Sequence, residues 1–317
     1  MAYRTLVVRD STANRMSVQI VASECCAARY PQNTAAGFAY CLRQSFDGIE
    51  FDVHLSADGH VVVHHDYRLN PRIARVRSGM WIETPAPTIC GSTLAELQTY
   101  DVGRYRAGSP ETEAYPDYRP LDGEPIPSLD QLLRAYAEQK GTATLWIQIK
   151  TSPYQRSISS QPNALVRQIV EDVTSAGVQR HTVLLAFEWD TLCFARSLSH
   201  EIETDFLTLN HASVAALNRK TGPVDPYALY GEFDPRCFSN SIPRAIKAAG
   251  GDWWGPYVHD VDAADVAEAH QLGLRVNLWN VDSNDAAVSH ALSLGADAIT
   301  LSDPDLLVRK LIGHLRT

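Results

Sequence analysis

No stretch of the 317 residues approaches the roughly 20 consecutive apolar positions that a membrane-spanning helix requires. The first residues, Met1 to Gln19, are interrupted by Arg4, Arg9, Asp10 and Arg15 and contain no secretory h-region. The expectation is a soluble, cytoplasmic chain without a membrane span. Positive charge is scarce: 28 Lys+Arg stand against 37 Asp+Glu, a net charge of −9. That balance argues against an extended nucleic-acid or anionic-membrane surface and leaves room only for a local basic pocket. CxxC pairs are missing as well, although six cysteines occur, at positions 25, 26, 41, 90, 193 and 237. In a chain this large they do not read as a disulfide framework, and free thiols in or near a core are expected. Low-complexity tracts and short repeats are absent.

What is present is an alternation of strand-like and helix-like segments. Short β-rich runs occur at Val18–Ser23, Gly48–Leu55, His60–Asp66, Thr144–Lys150, Thr182–Glu188, Thr204–Asn210, Asp252–Val258, Leu274–Asp282 and Ala298–Asp303. Helical patterns lie between most of them, at Asn33–Gln44 with Asn33/Thr34 as cap, Ser128–Gln139, Asn163–Ala176, Ala263–Leu272 and Asn284–Leu294. Such alternation predicts parallel strands with helices outside. Nine runs exceed an eight-stranded barrel by one. The excess resolves at Asp58-Gly59, a turn signal between Leu55 and Val61, because a parallel crossover needs about a dozen residues or more. That pair must be an antiparallel hairpin. The predicted fold is therefore an α/β (β/α)8 TIM barrel with a β-hairpin arm, one unit over residues 1–317.

One stretch breaks the rhythm. From about Tyr67 to Gly123 no periodicity appears, and Pro71, Pro85, Pro87, Pro110, Pro116 and Pro120 punctuate it. It is too long for a barrel loop and predicts an inserted lid or subdomain after the second strand, covering the barrel face where active sites form. A second irregular segment spans Leu217–Phe238.

The chemistry gathers at strand ends. In Ile49-Glu50-Phe51-Asp52-Val53 the carboxylates share one face of a strand. If Phe51 packs outward, Glu50 and Asp52 point into the barrel, where they repel unless a cation neutralises them. An edge strand with a wet face would give the same pattern. Oxygen donors suit Mg2+ or Ca2+ better than zinc, with Mn2+ a further candidate. Lys150 ends an apolar strand and shares a face with Gln148 and Trp146, so it needs an anion, and a phosphate is a natural partner. His64-His65-Asp66 ends the hairpin's return strand with groups able to act as general acid or base, or forms a simple surface turn. Trp146, Glu188, Trp189, Trp253, Trp254, Tyr257 and Trp279 are candidates for an aromatic and polar mouth, although each Trp alone also suits a core.

Pro31-Gln32-Asn33-Thr34, the run from Gly48 to Gly59, Val61-Val62-Val63-His64-His65-Asp66, the run from Gly123 to Leu129, Gln148-Ile149-Lys150, Trp279-Asn280-Val281-Asp282 and Gly295–Thr300 together resemble the glycerophosphodiester phosphodiesterase family. The resemblance covers about residues 18 to 308. It implies a barrel enzyme that uses one divalent cation to cleave a small-molecule phosphodiester into a phosphomonoester and an alcohol. On that resemblance Glu50, Asp52 and Gln148 fall at the metal-ligand positions, His65 at an acid/base histidine, Lys150 at a phosphate-contacting lysine and Trp279 at an aromatic pocket wall.

Two departures fall in the site. Where the family has His-Arg-Gly at the end of its first strand, this chain reads Ser23-Glu24-Cys25-Cys26, and where it has a third metal Glu the chain has Gln148. An active branch would then use Glu24 or Ser23 in place of the histidine and Arg29 or Lys150 in place of the arginine. Glu24 could protonate a leaving alkoxide only with a raised pKa. The competing expectation is a catalytically impaired barrel that binds a phosphodiester or phosphorylated sugar without turnover. Glu188 and the aromatic residues suit a glycerol- or sugar-type headgroup, including opine sugar phosphodiesters such as agrocinopine, and a cyclic phosphate could form first.

Overall fold

The computed structural model describes residues 7–9, 15–44, 46–209, 214 and 225–314. Eight parallel strands form a closed barrel: β1 (Gln19–Ala22), β2 (Gly48–Leu55), β3 (Thr144–Ile149), β4 (Thr182–Ala186), β5 (Glu203–Thr208), β6 (Trp253–Pro256), β7 (Arg275–Leu278) and β8 (Ala298–Leu301). They neighbour one another in the order β1-β8-β7-β6-β5-β4-β3-β2, and β1 pairs with β2 to close the ring. Each strand is followed in the chain by an outer helix: α1 (Ala35–Gln44), α2 (Leu129–Glu138), α3 (Pro162–Ser175), α4 (Trp189–Leu198), α5 (Ile242–Ala248), α6 (Ala263–Gln271), α7 (Asp285–Ser293) and α8 (Pro304–His314). The predicted barrel is the observed one. So is the arm, in which Val61–Val63 pairs antiparallel with the end of β2.

Local chemistry explains most boundaries. Ser128 and Gln131 cap α2 reciprocally, and Leu129, Leu132, Leu133 and Tyr136 form its buried stripe. Phe51 does pack outward, edge-on to Phe38 of α1 with ring centroids 5.8 Å apart, and both are fully buried. Burying such a ring contributes about 1.5–3 kcal/mol and fixes which face of β2 looks inward. Helices α4, α5 and α8 escaped the periodicity reading. Trp189 follows Glu188 directly, so no turn residues separate strand from helix, while α5 and α8 are opened by Pro243 and Pro304. A short antiparallel pair, Val7–Arg9 with Arg15–Ser17, was likewise not anticipated.

The segment after the arm is a small structured body. Its own buried cluster includes Leu69, Ile73, Ile89, Leu97, Val102 and Tyr105. Asp101 fastens it internally, accepting from Arg75 at 2.7 Å and from the backbone N–H groups of Gly103 and Gly123 at 2.9 and 2.8 Å. It is clamped to the loop between β1 and α1: Tyr105 Oη donates to the Ala27 carbonyl (3.1 Å) and accepts from the Gln32 N–H (2.9 Å). At its end Glu124 accepts from the Ala36 N–H at 2.9 Å, capping α1 from outside. Within the second irregular segment, two 3-10 turns occupy Pro226–Leu229 and Pro235–Phe238; residues 217–224 lie outside the described residues. No helix among the described residues is long and apolar enough to cross a membrane.

Candidate active site

Glu50 and Asp52 both point into the barrel from the middle of β2 and are almost fully buried. Asp52 is bracketed by Asn33, whose Nδ2 donates to Asp52 Oδ2 at 2.8 Å while its Oδ1 accepts the Asp52 N–H at 3.0 Å. Asn33 is therefore not a helix cap. Its φ of 58° turns it away from α1, and of the expected pair it is Thr34 that caps that helix, accepting from the Gly37 N–H. Lys150, at the end of β3, sets Nζ 3.2 Å from Asp52 Oδ1. The anion that the buried lysine requires is thus, in the first instance, a protein carboxylate.

The turn after β1 shapes the other side. Glu24, Cys25 and Cys26 have φ of 48°, 59° and 66°, three consecutive left-handed residues with no glycine among them. Each costs about 1–2 kcal/mol relative to ordinary backbone. Several contacts hold the turn. Ser23 Oγ and the Glu24 N–H both donate to Glu50 Oε2, at 3.1 and 2.8 Å, and the Asn33 N–H donates to the Glu24 carbonyl at 2.8 Å. Gly37 lets α1 approach, since a Cβ there would lie 2.4 Å from the Cys25 carbonyl oxygen. The result aims the Glu24 carboxylate inward, where ligand-type atoms of Glu24, Asp52 and His65 lie within 4.8 Å of one another.

His65, just beyond the arm, lines the same cavity. Its Nδ1 bonds Asp66 Oδ1 at 2.9 Å, and Asn70 Nδ2 donates to Asp66 Oδ2 at 2.7 Å, leaving Nε2 for the cavity. Electrostatics sort these groups. Burial, opposed by His65 and reinforced by Asp52, pushes Glu24 up to about 7. Burial and the Asp52 charge push Glu50 up to about 8. Burial also works against Asp52, but Lys150 and His65 outweigh it and hold that carboxyl below its usual range. Lys150 and burial press His65 down, yet Asp52, the Asp66 bond and Glu24 carry it up to about 9. Three carboxyl groups crowded around one buried ion pair, two of them raised, form an oxygen-rich cradle that a hard divalent cation fits.

The cavity holds about 470 Å³. Ser23, Glu24, Glu50, Asp52, His65, Gln148 and Lys150 line its charged half, so with Trp279 eight of the ten sequence-predicted site residues converge. Across from them stand Leu185, Phe187, Leu207 and Trp279, with Ala114 and Tyr115 of the insertion at the rim. Two predicted residues stay out. Arg29 is held by Asp305 at 3.0 Å and Asp303 at 3.6 Å, which removes it as a stand-in for the missing arginine. Glu188, although buried, is paired to Arg156 behind the cavity wall. Most of the aromatic mouth was also misplaced. Trp146 and Trp253 fill the barrel interior, Trp189 and Trp254 pack in the layer beneath the helices, and Tyr257 stands behind Trp279 with ring centroids 5.2 Å apart. Trp279 alone of those rings lines the cavity. Phe187 and Tyr115 were missed because neither carries a local pattern that marks it.

From the cavity lining at Thr300 and Asn277 a polar chain runs inward to Asp205, and the sequence reading missed it as well. Asn277 Nδ2 donates to Asp205 Oδ2 at 2.8 Å, and Thr300 Oγ1 donates to Asn277 Oδ1 at 2.8 Å. Burial pushes Asp205 up to about 7. The folded protein thus holds this proton more tightly than the unfolded chain, and stability contributed by this group falls as pH rises from about 4 to 7. Asp205→Asn removes that loss, so its stability advantage over wild type should grow by on the order of 2–4 kcal/mol between pH 5 and 8. Denaturant titrations at the two pH values check this; parallel profiles would contradict it.

Comparison with known proteins settles the family. The Glycerophosphoryl diester phosphodiesterase family matches residues 25–306. The chain belongs to that family. With membership comes the class of reaction: this is a phosphodiester hydrolase, as the sequence resemblance implied. Among curated relatives, glycerophosphodiester phosphodiesterase of Bacillus altitudinis is 23% identical over 280 residues, covering 88% of this chain and 92% of that one. YhdW of Bacillus subtilis (strain 168), named for the same activity, is 24% identical over 280 residues with the same coverage of 88% and 92%. A solved structure from Silicibacter pomeroyi, whose name points to the same family, superposes with a TM-score of 0.79 at 26% identity, covering 98% of this chain and 96% of that one. The structure of an Oleispira antarctica phosphodiesterase in complex with the product sn-glycerol-3-phosphate superposes at 0.64 with 19% identity, covering 94% and 97%, and shares the fold.

Proposed function

We propose that this family member cleaves a glycerol-type phosphodiester with the help of one divalent cation, Mg2+, Ca2+ or Mn2+, held by Glu24 and Asp52 with Glu50, Gln148 and His65 around them. The observation that carries the reading is the convergence of Glu24, Asp52 and His65 beside Lys150 in one cavity. Glu24 restores the carboxylate that Gln148 does not supply, so its role shifts from the expected general acid to the cation cradle. Such a cation, when bound, polarises a phosphoryl oxygen. Lys150 meets the phosphate's developing negative charge from the Asp52 side. His65, oriented by Asp66, transfers a proton through Nε2, either to the leaving alkoxide or from the attacking hydroxyl. Ser23 helps to hold Glu50. Water is one attacking hydroxyl; a hydroxyl of the substrate is the other, and it would give a cyclic phosphate first.

The walls support a small headgroup: Phe187 and Trp279 offer apolar faces, and Tyr115 closes the rim as the lid of a single barrel unit. Free Cys25, Cys26 and Cys41, buried and unbridged, support a cytoplasmic setting. The product in the Oleispira antarctica structure, sn-glycerol-3-phosphate, favours a glycerol arm over sugar-phosphate-sugar diesters. A panel of both diester types, followed by phosphorus NMR with each cation, tests the choice. Release of glycerol phosphate from the glycerol-type diesters is expected. Cleavage of the sugar diesters alone would move the substrate to the opine type, and tight binding without cleavage would favour a non-catalytic barrel.

A further inference from the structure

The barrel interior is mostly apolar, built from Val21, Trp146, Val183, Leu185, Leu207 and Trp253. The chain Asp205–Asn277–Thr300 interrupts it across β5, β7 and β8. All three residues are buried, and Asp205 Oδ1 finds no hydrogen-bond partner among the described residues. Leaving such an atom without a partner costs stability, so an apolar layer here would be more stable. The fold also makes room for it. A Cβ on Gly255 of β6 would lie 2.7 Å from that same Asp205 oxygen. A costly buried polar feature with a dedicated glycine is the pattern of a functional constraint.

The chain has a direction. A carboxyl group, ionised or protonated, always keeps an oxygen able to accept, so Asp205 draws the amide nitrogen of Asn277 toward itself. The Asn277 carbonyl then faces Thr300 and takes its only hydroxyl proton. Thr300 lines the cavity, and its oxygen, with the proton given to Asn277, is left with lone pairs only. Asn280, Asp282, Ser283 and Asn284 of the loop after β7 also line the cavity, but the Thr300 hydroxyl has its one proton committed to Asn277. The Trp279 indole N–H is committed to the Gly255 carbonyl at 3.0 Å, and Ser302 at the rim is bonded to the Tyr115 phenol. A ligand group opposite Thr300 must therefore donate a proton: a hydroxyl fits, whereas a methyl or an ester oxygen does not.

We infer that Thr300 is a specificity-determining residue that accepts a hydrogen bond from a free hydroxyl on the alcohol arm of the substrate, with Asn277 and Asp205 as positioning residues behind it. The inference rests on the phosphodiesterase reading for what the arm belongs to, and not for the contact itself. Calorimetric binding of sn-glycerol-3-phosphate against n-propyl phosphate, which has the same phosphate and no hydroxyl, isolates the contact. Wild type should prefer the glycerol compound about tenfold or more. Thr300→Val should lose that preference while binding n-propyl phosphate as before, and Thr300→Ser should keep it. Asp205→Leu should lose it too, and Asp205→Asn, which keeps an acceptor for Asn277, should restore it. Thermal midpoints identify any variant that fails to fold. Absence of a preference in wild type, or an unchanged preference in Thr300→Val, would overturn the inference. An intact preference in a wild type that cleaves no glycerol-type diester would instead sink the phosphodiesterase reading and leave Thr300 as the hydroxyl-binding residue.

Discussion

His65→Ala should lower kcat by about 10²–10⁴-fold while moving the thermal midpoint little. The side chain is 43% exposed, so its removal leaves no sealed cavity, and the Asp66–Asn70 bond behind it survives. The effect on rate should nonetheless be large because nothing nearby can take over. His65 is the one imidazole among the lining residues, and the first-strand position where the family keeps a second histidine carries Ser23 and Glu24. Glu24 sits beside Asp52 and His65, where the proposed function gives it to the cation. The check is kcat at saturating substrate beside a melting curve. A rate within about threefold of wild type would remove His65 from the proton transfer.

Glu24→Gln should weaken divalent-cation binding by about 10–100-fold. Calorimetry with Mn2+, or the rise in thermal midpoint on adding Mg2+ or Ca2+, reads this without reference to turnover. With Gln148 neutral, the carboxylates clustered beside Lys150 are Glu50, Asp52 and Glu24, while Asp282 lines the cavity from the loop after β7; Asp52 is already paired with Lys150, and Glu50 already accepts from Ser23 and Glu24. Of the clustered three, Glu24 is the carboxylate left to answer a cation beside His65. In cation-free protein the variant should be at least as stable as wild type, because a carboxyl that burial and Asp52 drive upward has been replaced by a neutral amide. Reduced cation affinity with undiminished intrinsic stability separates a ligand's loss from a damaged fold. An unchanged affinity would return the cation to Glu50, Asp52 and Gln148.

The barrel was legible because strand and helix periods alternate over most of the chain, and Asp58-Gly59 marks the one hairpin that breaks the count. The i, i+2 carboxylates of β2 were legible for the same reason: a strand's two faces are written in its sequence. What escaped depends on contacts distant in the chain. Nothing local marks Glu24, Cys25 and Cys26 as a left-handed turn, since none is glycine and the turn is held by Glu50 and Gly37. Asn33 reads as a helix cap until β2 brings Asp52 beside it. The Asp205–Asn277–Thr300 chain bonds residues 72 and 23 positions apart and looks like scattered polar residues until the barrel closes. Arg29 failed for a related reason: Asp303 and Asp305 of the last strand–helix junction claim it.

The most direct test is the glycerol-type arm of the diester panel, run on wild-type protein with added divalent cation and again in excess chelator. Phosphorus NMR should show the diester resonance replaced by that of a glycerol phosphate, with or without a transient cyclic species, only when the cation is present. Cleavage that persists in chelator, or no cleavage under either condition, would contradict the account.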